Sequence, residues 1–339
     1  MIDVLCMGDV MIDFTPAGFS EKGYPLYERN PGGAPANLAV TVSLLGGTSG
    51  FLGAVDNGVF GHFLKTVLDQ YKVDTSAMKF TEEADTRVVY ISLDENGNRS
   101  MQCPKGPFAE YYYYEDDVNE KVIANTKICH FASTTLFYEP SRSAQIRTAE
   151  IAKQNGVTVS FDPNYNMASF VLAEGQQLSD NQSREMEENR AMILDFLRFV
   201  DILKVSDADV EFLTGEADYR KGAKKLLDEN DFQLLVVTLG PKGCYYNHGG
   251  TEGWLPTYDT KVVDTTGSGD AFTGGLYYQL TRKDRVSVKE ESTNTIEEML
   301  KFANACGATA ATKRGGMPSV TGIEEVLLCM QRTPLLMLP

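Results

Sequence analysis

Residues 262–275 read VVDTTGSGDAFTGG, in which β-branched residues are followed by a turn of small residues and then by a segment compatible with a helix. A glycine-rich turn that leads into a helix presents unpaired backbone N–H groups at the positive end of the helix dipole, which suits a bound phosphate. The sequence therefore predicts an anion-binding turn at Gly267, Ser268 and Gly269.

Asp270 comes directly after this turn, at or just before the first turn of the predicted helix. Its carboxylate would face the same space as the anion and would repel it. This placement makes chemical sense if Asp270 takes the proton from a hydroxyl group that attacks a phosphate. The alternative is an aspartate that only caps the helix, which is common after a Gly/Ser loop. The chain contains neither a Walker A run nor a strand-borne GxGxxG, so a phosphoryl transfer would not use a P-loop.

The composition indicates a soluble globular protein with a large apolar core, since 42% of the 339 residues are hydrophobic and 23% are charged. This length allows one large α/β domain or two ordinary ones. The net charge of −16 argues against nucleic acid or an anionic membrane as the partner. No apolar stretch approaches the length of a membrane span, and the first residues predict a strand, not a signal peptide. The six scattered cysteines are expected to be buried, reduced thiols, so a cytoplasmic location is expected.

Strand and helix patterns alternate from residue 121 onward, for example a strand at 127–132, a helix at 140–155 and a strand at 157–161. This repetition predicts a parallel, doubly wound sheet with right-handed crossovers. The Gln- and Glu-rich residues 172–190 are expected to form a surface insertion before a helix at about 191–199. Polar residues at the carboxyl ends of parallel strands line the crevice in which ligands bind. The residues expected there are Asp9, Ser133, Asp162 and Asn164.

A hairpin is predicted between α/β units. Residues 86–93 alternate at period two, residues 94–99 form the turn, and residues 100–103 return. Such a hairpin suggests a small sheet that stands off the main sheet.

The run from Asp264 to Asp270 resembles the C-terminal signature of the ribokinase-like (PfkB) sugar kinases, D-T-x-G-[AS]-G-D, at every fixed position. About 230 residues earlier, Gly32-Gly33-Ala34-Pro35-Ala36-Asn37 matches the N-terminal signature of the same family. Residues 8–14, GDVMIDF, are similar to the G-E-x-x-I-D-F opening of its fructokinase branch. On these signatures the chain is identified as a ribokinase-like carbohydrate kinase of the fructokinase branch, over roughly residues 1–320.

This resemblance implies an α/β fold with a doubly wound, mostly parallel sheet flanked by helices, and a small β-sheet lid over the sugar. The chain is expected to be one domain, 1–339, whose lid comes from about 10–31 and 85–113. Family members often dimerise through this lid, so a homodimer is expected. The tyrosines at 111–114 would serve lid packing or an interface.

The resemblance also implies the reaction, in which ATP gives its γ-phosphate to a primary hydroxyl of a free sugar, with the 6-hydroxyl of D-fructose as the expected acceptor. Asp270 would act as the base. The backbone N–H groups of Gly267, Ser268 and Gly269 would receive the charge that develops on the phosphoryl oxygens.

Three groups of site residues follow from the motifs of the family. Those implied to hold the sugar are Asp13, Gly32, Gly33, Asn37, Arg87, Asn164 and Asp270. Those implied to hold ATP and its Mg²⁺ are Lys204, Ser206, Asp209, Thr238, Gly240, Gly243 and Asn304. Those implied to enclose a monovalent cation, K⁺, are Asp264, Thr266, Gly315 and Ser319.

The residue types agree with these roles. A carboxylate such as Asp13 accepts paired hydrogen bonds from neighbouring hydroxyls, and paired glycines let the backbone approach a sugar ring. Mg²⁺ commonly binds through one or two carboxylates plus water, which Ser206 and Asp209 suit. Alternatively, Ser206 only caps a helix, and Glu211 could stand in for Asp209. Asn304 lies on a small-residue helix face that by itself indicates only tight helix packing.

The substrate is left open by three departures from the family pattern, at Asp56, Gly58 and Asn166. Asn166 stands where fructokinases and ketodeoxygluconate kinases have the arginine of D-P-N-x-R. A 2-keto-3-deoxygluconate kinase would need a cation for the substrate carboxylate, for which Arg87 is the candidate. A nucleoside kinase would need an apolar slot for the base, which the lid tyrosines could supply. The rival from a different class is a non-catalytic, sugar-binding relative.

Overall fold

The computed structural model describes residues 1–93, 99–165, 179–283 and 285–337, which form thirteen strands and ten α-helices. The strands are β1 (Ile2–Met7), β2 (Met11–Phe19), β3 (Pro25–Gly32), β4 (Ser49–Asp56), β5 (Met78–Thr81), β6 (Val88–Leu93), β7 (Arg99–Gln102), β8 (Thr126–Ala132), β9 (Thr158–Asp162), β10 (Ile202–Ser206), β11 (Leu234–Thr238), β12 (Cys244–His248) and β13 (Thr251–Leu255). The helices are α1 (Ala34–Leu44), α2 (Val59–Gln70), α3 (Glu120–Ala124), α4 (Ser141–Gln154), α5 (Asp180–Phe196), α6 (Asp207–Thr214), α7 (Tyr219–Glu229), α8 (Ser268–Leu280), α9 (Thr293–Ala310) and α10 (Ile323–Arg332).

Nine of these strands form one sheet, in the order β13-β12-β11-β10-β9-β8-β1-β4-β5. The strands from β11 to β5 run parallel, and β12 and β13 add an antiparallel edge. Every residue of β4 is buried, and so are the four apolar residues that begin β11. Strands that are covered on both faces carry such continuous apolar runs.

Helices cover both faces of this sheet, as the alternation of side chains along β1 shows. Val4 and Cys6 belong to a cluster with apolar residues of α1, α2, α8 and α9. Leu5 and Met7 belong to a second cluster, with residues of α4, α5, α6 and α7. Because successive side chains of a strand point to opposite faces, the sheet is the middle of three layers. The predicted doubly wound, mostly parallel sheet flanked by helices is confirmed.

The other four strands form a small sheet in the order β3-β2-β6-β7. Strand β2 pairs antiparallel with β3 and parallel with β6, and β6 pairs antiparallel with β7. Phe14 of β2 stacks on Tyr90 of β6, with ring centroids 5.2 Å apart. The predicted hairpin is present as β6 and β7, and residues 94–98 of its predicted turn lie outside the described residues.

Two sequence predictions are wrong. Helix α5 begins at Asp180, within the predicted surface insertion at 172–190, because the Ser179 side chain caps it and accepts a hydrogen bond from the Gln182 N–H. Cys103 is exposed just after the short strand β7, whereas the other five cysteines are buried as expected, and all six are free. Among the helices that the structure describes, none has both the length and the apolar character needed to cross a membrane.

The tyrosines at 111–114 pack within the chain. The Tyr111 ring stacks on Tyr138, with centroids 3.9 Å apart. The Tyr113 hydroxyl is buried and donates to the carbonyl oxygens of Ala77 and Asp117, at 3.1 and 3.0 Å. Tyr111 and Tyr113 thus contact residues outside the small sheet, and the choice between lid packing and an interface stays a prediction.

Candidate active site

Polar side chains gather where the parallel strands of the large sheet end. The residues at or just after the ends of β1, β9, β10 and β11 are Asp9, Asp162, Ser206 and Thr238. The first turn of α8 lies at the same edge, since the Nζ atom of Lys204 on β10 is 3.2 Å from the position that a Cβ of Gly269 would take. This is the edge at which doubly wound sheets bind ligands.

The turn before α8 folds as the glycines of the sequence predict. Gly267 caps the helix with a φ of 77°, a left-handed conformation that favours glycine. The Ser268 N–H, one of the three predicted to bind the anion, instead donates to the Thr265 carbonyl oxygen at 3.1 Å, because the tight turn closes on itself. The N–H groups of Gly269 and Asp270 come next in the first helical turn, where no acceptor within the helix exists. A ligand oxygen at this helix start would therefore meet these two N–H groups. The Ser268 hydroxyl oxygen in the same turn is buried without a hydrogen-bond partner in the described part of the chain.

Asp270 is the third residue of α8 and is held by the N-terminal signature. The Asn37 side-chain amide donates to Asp270 Oδ2 at 2.7 Å, across 233 positions of sequence. Burial raises the pKa of Asp270 to about 7; the hydrogen bond from Asn37 and the charge of Lys204 lower it, and the carboxylates of Asp162 and Asp9 raise it further. The two signatures of the sequence thus meet at one carboxyl group that titrates near neutral pH.

A buried ion pair lies beside this helix start. Lys204 Nζ donates to Asp162 Oδ2 at 2.7 Å, and the two side chains are 7% and 5% exposed. Burial lowers the pKa of Lys204, but the Asp162 carboxylate outweighs burial and keeps the pKa above its usual value. Lys204 is therefore a charged ammonium group fixed against Gly269.

The glycine pair of the N-terminal signature lies against the two acids of the opening motif. A Cβ on Gly32 would come 2.5 Å from Asp13 Oδ2, and a Cβ on Gly33 would come 2.5 Å from the Asp9 carbonyl oxygen. Gly33 also has a φ of 104°, which favours glycine. Asn37 is 4% exposed, and its Oδ1 atom has no hydrogen-bond partner in the described part of the chain. The predicted sugar residues Asp13, Gly32, Gly33 and Asn37 are thus brought together.

Arg87 is engaged by other residues at the base of the small sheet. Its Nε donates to Glu110 Oε1 at 2.6 Å, and its Nη2 donates to the Tyr111 hydroxyl at 3.0 Å. The guanidinium also lies over the Phe108 ring, 4.6 Å from its centroid. Glu110 is 1% exposed, so Arg87 is its buried counter-charge.

Ser206 and Asp209 form a capping box at the start of α6. Ser206 donates its N–H and its hydroxyl to Asp209 Oδ2, at 2.8 and 2.6 Å, and the Asp209 N–H donates back to Ser206 Oγ at 3.0 Å. The Tyr165 N–H donates to Asp209 Oδ1 at 3.1 Å. Ser206 therefore caps a helix, and whether it and Asp209 also serve ATP and Mg²⁺ stays a prediction; Glu211 is exposed on the same helix.

The other predicted nucleotide residues lie on neighbouring elements. Thr238 ends β11 and donates to the Val205 carbonyl oxygen at 3.3 Å. Gly240 and Gly243 bound the turn that links β11 to β12. Asn304 of α9 is buried and donates to the Pro256 carbonyl oxygen at 3.2 Å, so it ties α9 to the segment after β13.

The four residues predicted to enclose a monovalent cation lie in one cluster. Asp264 accepts hydrogen bonds from the Thr266 N–H and hydroxyl, at 3.0 and 2.8 Å, and from the Gly315 N–H at 3.0 Å. Ser319 donates to the Gly316 carbonyl oxygen at 2.7 Å and lies 3.5 Å from the Thr266 carbonyl oxygen. The cluster therefore offers the oxygen donors that hard cations prefer.

Asn164 is exposed after β9, with a φ of 44°, and its N–H donates to Asp162 Oδ1 at 3.2 Å. The departure at Asn166 lies outside the described residues.

Sequence reasoning assigned no role to Asp56, which accepts hydrogen bonds from Gly58, Gly61 and Thr86 N–H groups at 2.7, 2.9 and 3.1 Å. The sequence pattern that could have predicted this role is an acidic residue two positions before Gly58, the glycine that caps α2.

Comparisons with known proteins agree with this geometry. The sequence matches the family described as pfkB family carbohydrate kinase over residues 1–321. It is 37% identical over 330 residues to Fructokinase-1 of Oryza sativa subsp. japonica, which covers 97% of both chains. Its fold is similar to fructokinase from Xylella fastidiosa with bound ATP, with a TM-score of 0.85, 25% identity, and 98% and 99% of the two chains covered. A fructokinase double mutant from Vibrio cholerae O395, in a form with fructose, ADP and potassium ion bound, gives a TM-score of 0.82 at 31% identity, over 96% and 97% of the chains. The family inferred from the two signatures is confirmed: the chain belongs to the pfkB family of carbohydrate kinases.

Proposed function

We propose that this carbohydrate kinase transfers the γ-phosphate of ATP to the 6-hydroxyl of D-fructose. The observation that carries the proposal is the first turn of α8, where Asp270, bonded to Asn37 at 2.7 Å, lies next to free helix N–H groups and the Lys204 ammonium. A base, an anion-binding turn and a fixed cation are the parts that phosphoryl transfer to a hydroxyl needs. Fructose is supported by the opening motif and by relatives named fructokinases.

In this mechanism the sugar oxygen attacks the γ-phosphorus, the bond from phosphorus to the ADP oxygen breaks, and the hydroxyl proton passes to Asp270. The Asn37 amide occupies Asp270 Oδ2, and no group in the described part of the chain donates to Oδ1, which is then available to the hydroxyl. A pKa of about 7 leaves a substantial fraction of Asp270 ionised at neutral pH. In a loose transition state proton transfer is late, so positioning of the hydroxyl contributes as much as basicity.

The phosphoryl group would lie on the α8 turn. The N–H groups of Gly269 and Asp270 and the unpartnered Ser268 hydroxyl would receive its oxygens. The Gly267 N–H lies in the same turn and would also face the phosphoryl oxygens. Lys204 would add a full positive charge where charge develops on the transferred group.

Mg²⁺ fits this site as an ion that ATP brings with it. The described residues contain no group of three His, Cys, Asp or Glu side chains that could hold a metal alone. Three of the acceptor directions of the Asp209 carboxylate are taken by Ser206 and Tyr165, which suits contact with Mg²⁺ through water. When bound, Mg²⁺ would neutralise phosphate charge. K⁺ would be held by Asp264, the Thr266 carbonyl and their neighbours, next to the turn that precedes α8.

The rival substrates have less support. A keto-acid such as 2-keto-3-deoxygluconate requires a cation for its carboxylate, and Arg87 is already paired with Glu110. A nucleoside needs an apolar slot for the base, and Tyr111 and Tyr113 are buried within the chain. A non-catalytic, sugar-binding role is disfavoured by the intact Asp270 and its turn.

We further propose one folding unit over residues 1–339, a homodimer formed through the small sheet, and a cytoplasmic location. The small sheet exposes large apolar side chains, including Phe19, Tyr24 and Tyr27, which are unfavourable in water unless covered. The six free cysteines suit a reducing compartment. Sedimentation of the wild type and of Phe19→Ser tests the dimer, and a variant that sediments like the wild type would count against it.

The test of function is ADP release with Mg²⁺ and K⁺, comparing D-fructose with 2-keto-3-deoxygluconate, ribose and adenosine. Fast turnover on fructose alone supports the proposal. Turnover on the keto-acid alone would keep the mechanism and change the substrate, and no turnover on any of the four would count against fructose kinase activity. Asp270→Asn serves as the inactive reference, and Glu229→Gln, at the exposed end of α7, serves as the matched control for an acid-to-amide change.

A further inference from the structure

The first acid of the opening motif, Asp9, is a buried side chain to which no role has been assigned. It follows β1 at the carboxyl edge of the sheet and is 2% exposed. Within the described part of the chain, no N–H or hydroxyl group donates a hydrogen bond to its carboxylate. A carboxylate that receives no hydrogen bond from the chain takes its donors from water or from a ligand, so Asp9 is open to hydroxyl groups that a ligand brings.

The position of Asp9 is fixed from two sides. Its carbonyl oxygen lies against Gly33, where a Cβ would come within 2.5 Å, and a Cβ on the preceding Gly8 would come within 2.6 Å of the Pro35 ring. Asp9 is therefore clamped between the end of β1 and the start of α1, next to the Gly32–Gly33 pair. A ligand that meets this glycine pair would also be near the Asp9 carboxylate.

The Asp9 carboxylate is close enough to two groups of the site to influence their pKa values. The charge of Asp9 helps to raise the pKa of Asp270, after the larger effect of burial. Burial lowers the pKa of Arg87, but the Glu110 carboxylate and, next in size, the Asp9 carboxylate outweigh burial and raise it. The Asp9 carboxylate thus acts electrostatically on both the base and the guanidinium.

A role for Asp9 as the counter-ion of Arg87 explains less. Arg87 already contacts Glu110 at 2.6 Å and the Tyr111 hydroxyl at 3.0 Å, and among the hydrogen bonds of the described residues none joins it to Asp9. Two carboxylates, Asp9 and Glu110, then share one guanidinium. The local charge is negative, which suits neutral hydroxyl donors and opposes a substrate carboxylate.

We propose that Asp9 is a specificity-determining residue that accepts hydrogen bonds from sugar hydroxyls and selects neutral sugars over sugar acids. This inference rests on the proposed fructokinase activity and concerns the sugar half of the same site. The assignment extends the opening motif from one hydroxyl-binding acid, Asp13, to two.

The test compares wild type, Asp9→Asn and the control Glu229→Gln in steady-state kinetics with saturating ATP. Asp9→Asn is expected to lower kcat/KM for D-fructose roughly 10- to 100-fold, mainly through KM, as for loss of a hydrogen bond to a charged acceptor. Activity on 2-keto-3-deoxygluconate relative to fructose is expected to rise. Deoxyfructoses that each lack one hydroxyl complete a double-mutant cycle between Asp9 and the sugar. For the analogue without the hydroxyl that Asp9 binds, wild type and Asp9→Asn should have similar kcat/KM values. Equal losses on fructose and every analogue, or an unchanged KM, would overturn the inference.

Folding and function are separated by two further measurements. Thermal unfolding and binding of an ATP analogue, which does not involve the sugar half, report whether Asp9→Asn is folded. If Asp9→Asn is not folded, Asp9→Ser is assayed with the same substrates. Equal losses on fructose and every analogue, or an unchanged KM, would again overturn the inference. If the wild type does not phosphorylate fructose, the proposed function is wrong, whatever the role of Asp9. If the wild type is active on fructose but the Asp9 variants keep the wild-type KM, only the proposed role of Asp9 is wrong.

Discussion

Replacing Asp270 by asparagine is expected to remove most of the turnover and, at the same time, to stabilise the ligand-free protein. Loss of a general base costs about 10²- to 10⁴-fold in rate. The same carboxyl group lies in a site where burial raises its pKa from 3.8 to about 7. The ionised form is therefore less stable in the folded chain than in the unfolded chain. Asparagine removes the charge while keeping the shape of the side chain, so the cost of burying the charge disappears with the activity.

The size of this effect follows from the pKa. A rise from 3.8 to about 7 spans about three pH units, and each unit corresponds to about 1.4 kcal/mol, so the full penalty is about 4 kcal/mol. Asp270 is only partly buried by surface area, and solvent screening reduces the figure to about 2–4 kcal/mol. Between pH 3.8 and about pH 7 the folded chain holds a proton that the unfolded chain has lost. The wild type therefore loses stability as the pH rises through this window, and above about pH 7 the whole penalty is present.

The assay is thermal unfolding of ligand-free wild type and Asp270→Asn at pH 8 and pH 5, with Glu229→Gln as the control. The advantage of Asp270→Asn should be largest at pH 8 and fall to less than half at pH 5, where wild-type Asp270 is largely protonated. In the same range, kcat/KM of the wild type for fructose should rise about tenfold per pH unit below about pH 7 and then level off. A variant no more stable than the wild type at pH 8, an advantage independent of pH, or near-normal turnover of the variant would refute the reasoning.

Three further predictions concern other parts of the site. Lys204→Met should lower kcat about 100-fold. It should also destabilise the fold by about 3–5 kcal/mol, because Asp162 stays buried without its partner. Adding Asp162→Asn should restore the melting temperature but not kcat, and recovery of kcat would contradict the role of Lys204. Asp264→Asn should raise the K⁺ concentration for half-maximal turnover at constant ionic strength, and an unchanged requirement would exclude a cation there. Asp56→Asn should lower stability by about 1–2 kcal/mol, measured by thermal unfolding at pH 7, because the amide NH₂ cannot accept from the Thr86 N–H; an unchanged melting temperature would show that these bonds contribute little.

The turn before α8 could be predicted from the sequence because its conformation is decided locally. Gly267 has the left-handed conformation that a turn into a helix requires, and Asp270 follows in the first helical turn. The Ser206–Asp209 capping box is equally local, since an S-x-x-D spacing before an apolar run is a helix-start pattern. In both places residues at most three positions apart decide the structure.

The partners of the charged residues could not be predicted, because they come from distant parts of the chain. Asp162 and Lys204 are 42 positions apart and meet only because β9 and β10 are neighbours, with Phe161 paired to Leu203. Arg87 was predicted among the sugar-binding residues, and only the rival keto-acid kinase would use it for a substrate carboxylate; its contact with Glu110 could not be foreseen. The pairing of Arg87 with Glu110 depends on the tertiary structure that brings these two positions together, 23 residues apart in sequence.

The acidity of the chain, with a net charge of −16, and its proposed ATP substrate are compatible because the positive potential is short-ranged. The Lys204 ammonium is paired with Asp162 at 2.7 Å, so at a distance the two charges cancel. At the helix start the ammonium is within direct reach of a ligand, because its Nζ lies 3.2 Å from the position that a Cβ of Gly269 would take. Asp9 and Asp270 add negative charge to the same cavity, which disfavours a free polyanion. The proposed site therefore favours ATP whose charge is already reduced by a metal ion, for which we propose Mg²⁺, and the proposal places the phosphoryl oxygens on the α8 turn.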